Sequence, residues 1–325
     1  MKIQYVNSIP KNINILKSKK YNQKLSFTSD KFIRQTTQQP SKEDKDFFNF
    51  LDKKGKVDRE EFTKILLQNP KLIQKAYHFV EFESLISNVN TEPSSIAKAS
   101  YCMKNFFDEK FGKNNYRIIS IGTSPAVLSQ GMEALGNETI YLPATGIGNY
   151  VFRNRFSNNP KKITDEKNMQ ILGEYLKSKG VNKDDNKINI LIDFCDSGAT
   201  INALLGAIKE MLNLTDKQII PIDIGKLIKE LSKTTLANKE AISISKKERL
   251  NIIEDMAFQH FEHVSCVPHF YIDDEQNNYL YNCVKSSNKK SYNEVFKAFE
   301  EYSTPLGRCY ELCIQNEIHN LKSNL

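Results

Sequence analysis

Two segments near the middle of the chain are apolar throughout. Each runs into a turn of small residues and then into a helical pattern: YRIISIG (116–122) before SPAVLSQGMEALG, and KINILIDF (187–194) before ATINALLGAIKEML. A strand with no polar alternation is buried on both faces, and helices packed on both sides of a parallel sheet are what bury it. ETIYLPA, TDEKNMQILGEYLKSKG and QIIPIDI complete a strand–helix alternation over 114–225. Pro125 near the first turn and Gly136 after the last periodic residue bound the first of these helices. An α/β core over 114–225 is therefore expected.

The flanks read differently. Residues 41–113 form a helical region: KEDKDFFNFL, REEFTKILLQ, KLIQKAYHFVEFESLI and SSIAKASYCMKNFF all carry apolar residues at i, i+3, i+4. Residues 226–325 form a helical C-terminal region with one late strand in VSCVPHFYI (264–272). Residues 1–40 hold eight Lys and Arg and one acid, so they contribute +7, the entire net charge of the 325-residue chain. They read as a disordered basic tail, with a targeting segment as the sharper alternative. The remaining residues carry no net charge, so nucleic acid is not the expected partner of the body. No run of 18 apolar residues occurs, and no membrane partner is expected. The six cysteines are scattered without a CxxC, a usage that fits a reducing, cytoplasmic setting.

Several motifs carry candidate chemistry. DKKGKVDREEF (52–62) has the outline of a calcium loop, but Phe50 and Lys54 fall where oxygen ligands are needed, so it reads as two helices joined by a turn. Ile119–Ala126 is a strand, a turn and a helix start. Gly122, Thr123 and Ser124 there offer backbone and hydroxyl donors to an anion at a helix N-terminus. Ser124 also suggests a nucleophile elbow, although Ala126 stands where that motif has its second glycine. The richest segment is Asn189–Thr200. An apolar strand delivers Asp193, and Asp196, Ser197, Gly198, Ala199 and Thr200 then open a helix as a cradle for a phosphate monoester. Asp193 could receive a ribose diol, and Asp196 could act as a base or orient a leaving group. His260 and His263 are spaced as a metal pair without a completing ligand, and Cys195 reads as packing.

Segment 189–200 resembles the ribose-phosphate motif of type I phosphoribosyltransferases: an apolar strand, two acids, two apolar residues, then Asp-Thr/Ser-Gly-x-Thr. Asp196 to Thr200 match it, Phe194 and Cys195 supply the apolar pair, and Asp193 takes the second acid position. Ile192 stands in the first. The turn that begins at Gly122, 71 residues before Asp193, lies where the family has its pyrophosphate loop, and 145–163 lies where the family has a mobile basic loop. The resemblance implies a Rossmann-like parallel sheet of phosphoribosyltransferase type, with the helical N- and C-terminal regions as additions and the latter as a possible hood. It implies a phosphorylated ribose or nucleotide ligand such as PRPP, and Mg2+ with Asp193 as a ligand. Gly122, Thr123 and Ser124 would take pyrophosphate, Arg153, Arg155 and Asp196 catalytic roles, and Lys161 and Lys162 further pyrophosphate contacts. Transfer of phosphoribosyl to a nitrogenous acceptor would follow. Three alternatives stay open: an inactive nucleotide-binding regulator on the same fold, an interaction protein, and a serine hydrolase using Ser124.

Overall fold

The computed structural model describes residues 42, 46, 57–68, 91–122, 124–142, 144–145, 166–195, 198–234, 242–257, 269–271, 279–281, 284–285, 302–303 and 305–323. The expected tail at 1–40 and all of the basic loop 145–163 except Thr145 lie outside them.

After the two-residue strand β1 (Val57–Asp58) come helices α1 (Arg59–Gln68) and α2 (Pro93–Phe111). Strand β2 (Tyr116–Ile121) leads through α3 (Ala126–Ala134) to β3 (Thr139–Leu142) and the short β4 (Ala144–Thr145). Helix α4 (Glu166–Ser178), strand β5 (Ile188–Asp193), helix α5 (Ala199–Leu212) and strand β6 (Ile219–Asp223) follow. β2, β3, β5 and β6 form one sheet in the order β3-β2-β5-β6, every pair parallel. The expected α/β arrangement is present. Pro221 cannot donate to a ladder, and it sits in β6, an edge strand of this sheet, where that donor is not needed.

The sheet is buried on both faces, which explains its unalternated strands. Ile119, Leu191 and Ile219 pack with Leu172 and Leu176 of α4 and Leu204 and Ile208 of α5. On the other face Ile118, Ile190 and Ile192 pack with α2, α3, α6 (Ile224–Thr234), α7 (Lys246–Ala257) and α8 (Pro305–Ser323). The chain steps one way from β2 to β3 and the other way from β3 to β5 and β6. A single hand of crossover then puts α3 on one face and α4 and α5 on the other.

Helices from both flanks pack on the sheet. Phe107 of α2 and Tyr310 and Ile314 of α8 belong to the same core as Ile118 and Ile190, so these helices form a layer of the α/β unit and are not appended to it. Tyr310 donates its hydroxyl to the Thr91 carbonyl at 3.0 Å, and the Thr91 hydroxyl bonds the buried Asp255 carboxylate of α7, which ties three distant segments together. α2 and α3 approach closely because residue 131 is glycine: a Cβ there would fall 2.2 Å from Ser100 Oγ. α7 begins with a reciprocal cap, Ser245 N–H to Glu248 Oε2 at 2.8 Å and Glu248 N–H to Ser245 Oγ at 3.2 Å.

Two findings concern strands. β10 (Tyr302–Ser303), which the sequence did not suggest, lies ahead of the long helix α8 and pairs antiparallel with β1, while residues 291–301 lie outside the described residues. β7 (His269–Tyr271) lies within the expected late strand. It joins β4, β8 (Tyr279–Tyr281) and β9 (Val284–Lys285) in a second sheet that the sequence did not suggest.

Candidate functional site

β2 and β5 are parallel neighbours with Ser120 opposite Ile192, so both strands end level at the same edge. The chain leaves β2 for β3 on one side and leaves β5 for β6 on the other. The order therefore reverses between these two strand ends, and the crevice beyond such a reversal is where ligands bind in open α/β sheets.

Both turns at this crevice use glycine in the left-handed region. Gly122 has φ 64° while its N–H still bonds the Leu142 carbonyl at 2.8 Å, so the chain leaves the ladder abruptly after it. Gly198 has φ 73° and occupies the cap position of α5. Among the described residues neither α3 nor α5 has a side-chain hydrogen bond at its N-cap. The dipole ends of both helices lie at this edge of the sheet, a setting that suits an anion, although Ala126, Val127 and Leu128 at the start of α3 are buried. Half-buried Ser124 lies in the turn before α3, and Ala199 and Thr200 form the first turn of α5.

Asp193 ends β5. Its Oδ1 accepts the N–H of Phe194 at 2.8 Å. Burial pushes its carboxyl up to about 7; the Phe194 N–H opposes this, and the negative charge of Asp223 adds to it. Asp223 ends β6 opposite Asp193. Its Oδ1 accepts the N–H of Gly225 at 3.0 Å and of Lys226 at 3.4 Å, which caps α6, and its Oδ2 lies 3.4 Å from Lys226 Nζ. Cys195 is pushed up to about 12 by burial and then by these two carboxylates, so its thiol stays protonated, in keeping with a packing role.

The structure thus brings Gly122, Ser124, Asp193, Gly198, Ala199 and Thr200 to one edge. Thr123, Asp196, Ser197, Arg153, Arg155, Lys161 and Lys162 lie outside the described residues, as do His260 and His263. Ile192, at the position of the family's first acid, is wholly buried in the core on the α2 and α6 face. Asp223 is the site residue that sequence reasoning missed. The available signal was an apolar strand ending in an acid, IIPID, which parallels INILID. His319 is exposed near the end of α8, where Lys322 reaches the Ala134 carbonyl, at the opposite end of α3 from Ser124.

Among the described residues no group of three or more His, Cys, Asp or Glu is arranged to hold a metal ion. Two hard carboxylates in register, Asp193 and Asp223, nevertheless fit Mg2+, which takes one or two protein carboxylates and fills its remaining positions with water and ligand phosphates. No described helix is long and apolar enough to cross a membrane. Compared with protein-family models, with curated proteins and with solved structures, the chain matches none.

Proposed function

We propose that the chain binds a 5-phosphorylated ribose, as PRPP or a nucleotide, in the crevice between the ends of β2 and β5. The observation that carries this reading is the pairing of the two turns. Two adjacent parallel strands end level at the order reversal, and each turns through a positive-φ glycine toward a helix with no side-chain cap among the described residues. The α5 turn would hold the 5-phosphate on backbone N–H groups, with the Thr200 hydroxyl near by. Asp193 would accept from the ribose hydroxyls, and the α3 turn would take a second phosphoryl group or pyrophosphate. Mg2+, if bound by Asp193 and Asp223, would offset the charge of that second group.

Transfer to a nitrogenous acceptor, with loss of pyrophosphate, would extend the same reading. Its catalytic candidates, Arg153, Arg155 and Asp196, lie outside the described residues, so ligand binding is the part that geometry supports. A regulator that binds without turnover is the second reading. It is favoured by the burial of Ile192, which leaves the strand one acid short of the family pattern.

Calorimetric titration of the whole chain with PRPP and with ribose 5-phosphate, with and without Mg2+, tests the binding. PRPP should bind, and more tightly with Mg2+. Absence of binding by PRPP, ribose 5-phosphate and nucleotides alike would overturn the proposal. Pyrophosphate release from PRPP in the presence of nitrogenous bases separates the enzyme from the regulator.

A further inference from the structure

Gly225 is the second residue of α6, buried, and outside the positive-φ set, so its backbone does not need glycine. Glycine is also the poorest helix former after proline. What it provides is space. A Cβ at 225 would lie 2.9 Å from Cε2 and 3.2 Å from Cδ2 of Phe194, and 3.3 Å from Asp223 Oδ1. The Phe194 ring therefore rests directly on the first turn of α6.

That contact joins the two carboxylate-bearing strand ends. Phe194 directly follows Asp193 and donates its N–H to Asp193 Oδ1. Gly225 donates its own N–H to Asp223 Oδ1. We propose that Gly225 is a positioning residue for the crevice: it seats the Phe194 ring, and the ring holds Asp193 and Cys195, its neighbours in the chain, in place at the end of β5. The inference rests on the reading of that crevice as a ribose-phosphate site.

A methyl group at 225 has to displace something. α6 is held by buried Ile224, Leu227 and Ile228, and Phe194 packs against the core that contains Ile192 and Ile224. Both walls resist, because packed interiors yield little. The displacement passes to Asp193 and Cys195, which flank Phe194 in the chain. Small displacements of positioning groups weaken recognition far more than they weaken a fold.

The test uses the full chain, with ribose 5-phosphate as the probe. Gly225→Ala should raise the Kd at least tenfold while lowering the melting temperature only modestly, because the better helix propensity of alanine offsets part of the packing strain. Adding Phe194→Leu to Gly225→Ala, which replaces the flat ring with a smaller flexible side chain, should bring the Kd back to within about threefold of the starting protein. Amide resonances of Asp193, Phe194 and Cys195 in the ligand-free protein should shift in the single variant and return in the double. Unchanged affinity in Gly225→Ala, or a double variant no better than the single, overturns the inference. If the unaltered chain binds no ribose 5-phosphate, the ligand reading falls, and the amide resonances decide the positioning role: their return in the double variant sustains it, and their failure to move or to return ends it.

Discussion

Asp193 and Asp223 stand in register on adjacent parallel strands, each the last residue of its strand, at the edge of the sheet where α5 and α6 begin. Their surroundings differ. Asp223 is engaged by two backbone N–H groups and by Lys226, whereas Asp193 has one N–H and is pushed up to about 7 by burial. The pair places one carboxyl that titrates near neutrality beside one that caps a helix.

The first consequence is a pH dependence of stability whose sign is opposite to that of a salt-bridged carboxylate. The folded chain holds the Asp193 proton more tightly than the unfolded chain does. From the ordinary value of 3.8 up to about 7 the folded carboxyl is neutral while the unfolded one is ionised. Its contribution to stability therefore falls as pH rises through that window and is level above it. Asp193→Asn removes the dependence. Relative to the unaltered chain the variant should gain stability from pH 4 to pH 8, by at most ~4 kcal/mol. Thermal melts followed by circular dichroism at both pH values check this, and a difference that does not change with pH counts against it.

Asp223 separates cap from charge. Asparagine caps a helix as well as aspartate does, so Asp223→Asn should leave α6 and overall stability nearly intact, whereas Asp223→Ala should lose about 1 kcal/mol. Burial, the main cause of the raised Asp193 carboxyl, stays in both variants, and loss of the negative charge facing it should lower that carboxyl slightly in each. Denaturant midpoints report the first effect, and carbon-13 titration of the Asp193 carboxyl reports the second. Equal stability losses in the two variants would mean that the cap hydrogen bonds contribute little.

The parallel sheet was legible because continuous apolar strands have few other solutions. The helix 199–212 was legible from the helical pattern that follows the apolar strand, and the structure bounds it with Gly198 and Asn213, both at positive φ. Other features have no local signature. An amphipathic helix that covers a sheet has the same periodicity as one that is merely appended, so the membership of α2 and α8 in the core could not be read. The β1–β10 pair joins Val57 to Ser303 through two residues on each side, too few for any pattern. Asp223 went unseen because strand order, and not strand sequence, puts it beside Asp193.

The direction of Ile192 is now fixed. It shares a face with Ile188 and Ile190 and is fully buried. Ile192→Asp would bury a carboxylate among apolar side chains, and should destabilise the chain by roughly 3–5 kcal/mol at neutral pH, less in acid. It should bring no gain in selectivity for ribose over deoxyribose esters. Urea denaturation at pH 5 and pH 8 measures the loss. A stable variant with sharpened selectivity would show that position 192 faces the ligand after all.

Gly198 and Gly206 offer the contrast that tests the crevice most directly. Gly206 lies exposed within α5, and a Cβ there meets nothing within 4 Å, so Gly206→Ala should stabilise the chain by up to ~1 kcal/mol and leave ligand affinity alone. At Gly198 a Cβ would lie 3.4 Å from Asn202 Nδ2, so space is not the obstacle. The obstacle is φ 73°, where an L side chain meets the following carbonyl and loses about 1–2 kcal/mol. The turn can relieve that strain only by leaving the left-handed region, which rotates the first N–H groups of α5 away from the crevice. Gly198→Ala should therefore weaken ribose 5-phosphate binding by at least tenfold beyond its modest stability loss, and Gly198→Val more so. Calorimetry on the two alanine variants side by side decides it: equal affinities would mean that the α5 turn is not where the phosphate binds.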